Sequence, residues 1–74
     1  MDTLEKVSEW VSGNAEERET RLRFRNSHFK AYMQEWSPRM GNMVVMSLGF
    51  GVTIEEAFED ALSQLDRSAN HRGN

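Results

Sequence analysis

Three arginines alternate with a leucine and a phenylalanine in Arg21-Leu22-Arg23-Phe24-Arg25. Guanidinium groups at every second position share one side of an extended chain, where each can grip a phosphate or a carboxylate through two parallel N–H donors. A second alternating run places His28, Lys30, Tyr32, Gln34 and Trp36 on one side. Aromatic rings and arginine stack on nucleobases, and Trp, Tyr and Arg are also the residue types that anchor protein interfaces. The two runs nominate Arg21, Arg23, Arg25, Lys30, Tyr32 and Trp36 as a binding surface. A second candidate is acidic: Glu55, Glu56, Glu59 and Asp60 can face a basic site on a partner.

Catalysis finds little support. The chain has two histidines, His28 and His71, and no cysteine, which removes thiolate nucleophiles, thiolate metal sites and disulfides. The carboxylate pairs Glu16-Glu17, Glu55-Glu56 and Glu59-Asp60 are adjacent in sequence, so on a helix they diverge around the axis rather than converge on an ion. Gly49-Phe50-Gly51 lacks the further glycine or the Gly-Lys-Ser/Thr ending of a phosphate loop. The expectation is a non-enzymatic protein with no catalytic residue, no metal and no cofactor.

The elements that must position these residues follow from periodicity. Leu4, Val7 and Val11, with Trp10 beside them, predict a helix over residues 3–12, with Asp2 as N-cap, Glu5 in a capping box and Gly13 as a left-handed stop. From Thr20 the period is two. Leu22 and Phe24 point to one side, and Asn26-Ser27 makes a tight turn into a second strand over 28–36, with Phe29, Ala31 and Met33 on the core side. The segment 37–42 reads as a hairpin loop, and a third strand over 43–50 has Val44, Met46, Leu48 and Phe50 facing the core, with Met43, Val45 and Ser47 opposite. Thr53 and Glu56 form a Thr-x-x-Glu capping box that opens a helix with the apolar stripe Ile54, Ala57, Phe58, Ala61, Leu62 and Leu65. The fold class is therefore α+β, in the order α-β-β-β-α, with a three-stranded antiparallel meander and both helices on one face. Residues 1–67 form a single domain and 68–74 a disordered tail.

The frame Gly49-x-Gly51-x-Thr53 followed by Ala57, Ala61 and Leu65 resembles the end of a double-stranded-RNA-binding domain, a family with the same element order and a similar length. That family opens its last helix with phosphate-gripping lysines. Here the matching positions hold Ile54, Glu55 and Phe58, so the resemblance implies the architecture without the RNA contacts. The opening glycine–threonine–Glu-Glu-Ala is also similar to HicB-like antitoxin domains and to many small phage proteins.

A chain of 74 residues with a formal net charge of -3 is one small domain, and its acidic balance ranks a protein partner ahead of nucleic acid. Charge is segregated: the two ends are acidic and residues 18–40 are basic. No apolar run approaches the roughly 20 residues that cross a bilayer, and the acidic N-terminal segment is unlike a secretory signal, so the expected setting is cytoplasmic without membrane association. The reading is a small binding or regulatory protein, phage-type or accessory bacterial. It would dock on a protein through the Arg/Tyr/Trp sheet face or the acidic helix face. Nucleic-acid binding through the sheet face is the alternative, and a homodimer through that face is a third arrangement.

Overall fold

The computed structural model describes residues 2–72 of the chain. Helix α1 (Thr3–Ser12) is followed by strands β1 (Arg18–Arg25), β2 (His28–Ser37) and β3 (Asn42–Gly51), then by helix α2 (Ile54–Arg72). The strands form one antiparallel sheet in the order β1-β2-β3, and both helices lie on the same face of it. The expected α+β architecture is therefore present.

Local chemistry accounts for the boundaries. Asp2 Oδ1 accepts from the Leu4 N–H and caps α1. Gly13 ends the helix in a right-handed conformation (φ -63°, ψ -22°), not the expected left-handed one. Its N–H still bonds to the Glu9 carbonyl, and Arg18 closes the helix end by donating from Nη1 to the Trp10 carbonyl at 2.7 Å. Asn26 and Ser27 both take positive φ (53° and 63°), the signature of a two-residue turn that matches the twist of the paired strands. Thr53 Oγ1 accepts from the Glu56 N–H at 3.1 Å, while the Glu56 carboxylate reaches back to the Val52 N–H at 3.2 Å. This is the expected capping box, with its return bond one residue further out. The helix continues to Arg72, so five residues of the segment expected as a tail are helical, and Gly73 and Asn74 lie outside the described residues.

The core differs from expectation on β3. Cross-strand pairing places Phe29, Ala31 and Met33 opposite Gly51, Gly49 and Ser47. Directly opposed residues share a face. The helix-facing side of β3 therefore carries the small residues, and Leu48 and Phe50 face away from the helices opposite Tyr32 and Lys30. Two physical causes act together. The backbone of α2 lies directly on β3: a Cβ at Gly49 would run into the Ala57 carbonyl oxygen and the Ala61 nitrogen, and one at Gly51 would stand 2.5 Å from the Ala57 nitrogen. Only glycine permits so close an approach. In addition, Met33 pairs with Ser47 and Gln34 with Val45, which leaves Met46 as the extra residue of a β-bulge. The bulge changes the phase of the strand. Val44 stays on the core face, Met43 and Val45 stay on the outer face, and Ser47, Leu48 and Phe50 are reversed from the simple alternation.

The buried cluster is consequently small: Val7, Ala31, Met33, Ala57, Phe58 and Ala61, with Trp10, Phe29, Leu62 and Leu65 packed around it. Leu22 and Phe24 do face the helix side, opposite Ala31 and Phe29, but they remain 40% and 63% exposed. Helix α2 is centred over β3 and β2, and α1 meets β1 at its Arg18 end, leaving Leu22 and Phe24 beyond the helical layer. Leu4 and Ile54, also expected in the core, are exposed as well. Among the described residues, no helix is long and apolar enough to cross a membrane.

Candidate functional site

The face of the sheet opposite the helices is built in three rows, one per strand. Pairing of Arg21 with Tyr32, Arg23 with Lys30 and Arg25 with His28 brings all six to this side. Strand β2 also contributes Gln34 and Trp36, which pair with Val45 and Met43 of β3. The candidate sheet residues Arg21, Arg23, Arg25, Lys30, Tyr32 and Trp36 are thus on one face. The three arginines and Trp36 are exposed, and Lys30 and Tyr32 are half-buried between their neighbours.

The rows differ in chemistry. Strand β1 presents cations, β2 mixes polar and aromatic groups, and β3 is uncharged along its length. Among the described residues, Arg23, Arg25 and Lys30 have no carboxylate within 4.0 Å, and Arg21 has only a 3.8 Å contact with Glu19 between two exposed side chains. A pair of that exposure contributes little. Lys30 instead lies over the Phe50 ring, its Nζ 5.7 Å from the centroid. The result is an unneutralised cationic row beside an apolar row in which Phe50 is 51% exposed.

Periodicity alone missed Leu48 and Phe50 on this face. The signal available in the sequence was the Gly49-x-Gly51 pair: two residues without side chains at alternating positions mark the side of the strand where another backbone approaches. At the β2–β3 hairpin, away from Leu48 and Phe50, residues of both sheet faces line a groove of about 440 Å³, among them Trp36, Pro38, Met40, Val44 and Met46.

The acidic candidates on α2 do not form one surface. Asp60 Oδ2 accepts the Phe50 N–H at 3.0 Å and Glu56 accepts from Val52, so both are tied to the β3 edge. Glu55 and Glu59 are exposed, and Glu59 instead lines a cleft between the helices with Lys6 and Asp66. The buried-side arginine, Arg18, is structural: it pairs with Glu35 at 2.7 Å and stacks over the Trp10 ring at 4.6 Å. Among the described residues, no group of three or more His, Asp or Glu side chains is placed to hold a metal ion. Ser47, expected on the outer face, is buried on the helix side, and its hydroxyl has no hydrogen-bond partner among the described residues.

No protein-family model matches this chain, and neither the search of curated proteins nor the search of solved structures returned a match.

Proposed function

We propose that this protein is a small non-enzymatic binding module that docks on a protein partner through the outer face of its sheet. The observation that supports this is the juxtaposition of Arg21, Arg23 and Arg25 with an apolar row, exposed Val45 and Phe50 with half-buried Leu48 between them, across a strand bearing Tyr32 and Trp36. Aliphatic and aromatic side chains flanked by arginine are the makeup of an interface core with a polar rim. The acidic helix face ranks lower, because Glu56 and Asp60 already serve the β3 edge. A regulatory role in a phage-type or accessory bacterial setting, and a cytoplasmic one, rests on the resemblance of the Thr53–Ala57 opening and on the composition.

A second reading is favoured by the same rings. Tyr32, Trp36 and Phe50 beside four cations suit a single-stranded nucleic acid, with bases on the rings and phosphates on the guanidinium groups. The net charge of -3 ranks it second.

The test is a photo-crosslinking amino acid placed at position 48, with position 55 as control. A partner captured from position 48 is purified and its affinity measured. Arg23→Glu and Phe50→Ala should each weaken it by about tenfold or more, close to 1.4 kcal/mol. Full retention of binding by both variants would refute the sheet face as the site. Labelled single- and double-stranded oligonucleotides titrated at two salt concentrations test the second reading, and salt-sensitive binding in the tens of micromolar would put nucleic acid first.

A further inference from the structure

The two edges of the sheet are finished in different ways. Along β3, side chains of α2 occupy the outward-facing backbone groups: the Phe50 N–H donates to Asp60, and Gln64 Nε2 donates to the Leu48 carbonyl at 2.8 Å. The helix thus makes the bonds that an added strand would make, which is one of the ways proteins blunt an edge.

Strand β1 has no such cover. In an antiparallel ladder, alternate residues exchange bonds with the neighbouring strand and those between them point outward. The Trp36 N–H donates to the Glu17 carbonyl, which places residue 17 in the bonded phase and with it Glu19, Arg21, Arg23 and Arg25. Thr20, Leu22 and Phe24 therefore direct their N–H and C=O groups to the open edge. Among the described residues, no side chain bonds to them. On the same strand, Leu22 and Phe24 are exposed on the helix side, and the three arginines are exposed on the other.

We infer that β1 is a docking edge and that its occupant is an extended acidic segment of a partner protein, in which Glu or Asp alternates with apolar residues, added as a fourth strand. The inference rests on the proposed protein-binding reading and names the chemistry of the partner. Charge complementarity selects this occupant: directly opposed cross-strand residues share a face, so an acidic row would lie against Arg21, Arg23 and Arg25 while the alternate apolar row covers Leu22 and Phe24. A second copy of β1 would instead set arginine against arginine, which is unfavourable at cross-strand distance. A nucleic-acid strand lying on the arginines would leave Leu22 and Phe24, on the opposite side, uncovered.

The experiment uses the full chain and a blocked, fluorescein-labelled ten-residue peptide alternating Glu with Val. Its binding should weaken as salt rises, and the amides of Thr20, Leu22 and Phe24 should gain protection from hydrogen exchange. Methylating the valine amide nitrogens removes the donors that face β1 without altering any side chain, and should weaken binding about tenfold or more. Arg23→Glu should weaken the Glu/Val peptide and strengthen a Lys/Val one. Absence of binding, equal binding of the methylated peptide, or chemical-shift changes at Leu48 and Phe50 with no protection at Leu22 and Phe24 would each overturn strand addition. The last outcome would leave the sheet-face reading standing, whereas that reading fails separately if Phe50→Ala and Arg23→Glu keep the crosslinked partner.

Discussion

Gly49→Ala is a small change with a large expected effect. The added methyl would meet the backbone of α2 at the Ala57 carbonyl oxygen and the Ala61 nitrogen, and would stand 2.9 Å from the Ala61 Cα. Backbone cannot step aside as a flexible side chain does, so the whole helix must withdraw by about 1 Å to restore ordinary contact, and a gap of that size forfeits a quarter to a half of the dispersion energy of the atoms it separates. Those atoms belong to Ala57, Phe58 and Ala61, half of the buried cluster. Overpacking usually costs about 1–3 kcal/mol, and against backbone a loss of about 3 kcal/mol is expected. For a domain of this size that lowers the melting temperature by roughly 12–24 °C. The partner measurement is Phe50→Ala. With Phe50 51% exposed on the outer face, the loss should be only about 1 kcal/mol. Were the strand arranged by simple alternation, the order would invert: Phe50→Ala would remove a core ring at about 3–5 kcal/mol and Gly49→Ala would be nearly neutral. Thermal and urea unfolding of the two variants decide the matter. A stable Gly49→Ala beside an unfolded Phe50→Ala would refute the close-packed arrangement of α2 on β3.

Arg18→Met keeps much of the aliphatic stem but removes the ion pair to Glu35, the bond to the Trp10 carbonyl and the contact with the Trp10 ring. Charge-assisted bonds at half-buried sites contribute about 1.5–3 kcal/mol, so urea unfolding should show a loss of about 2 kcal/mol, while Arg23→Met should change stability by less than about 0.5 kcal/mol. Ser47→Ala should leave stability unchanged or raise it by up to about 1 kcal/mol, because the hydroxyl is buried without a partner among the described residues. A loss above about 1 kcal/mol would show that the hydroxyl makes a bond in solution.

Much of the architecture was legible because it rests on local physics. The period-two run of β1, the two-residue turn, the Thr53 cap and the stripe of α2 each follow from interactions within a few residues. The phase of β2 was also legible, so Arg21, Arg23, Arg25, Lys30, Tyr32 and Trp36 fall on one face. Strand β3 was not. Its alternation of large apolar residues suggested a buried row, but the helix that packs there presents alanines and approaches the backbone itself. The place for large side chains was on the other side, and a bulge at Met46 hid the change of phase. The acidic run on α2 was visible as a run, but its division into edge caps and free carboxylates depends on where β3 lies beside the helix.

The sequence by itself determined the order of elements, the Asn26-Ser27 turn, the Asp2 and Thr53 N-caps and the cationic side of β1, because these depend on side-chain spacing along one strand or one helix turn. The tertiary structure decided which side of β3 is buried, which edge of the sheet is covered and which apolar residues remain exposed. Those outcomes depend on how closely α2 can approach Gly49 and Gly51, and on a helical layer that reaches only the Arg18 end of β1. The arginine row is therefore not the outer side of a strand whose other side is buried: from Arg21 to Arg25 both sides of β1 are exposed.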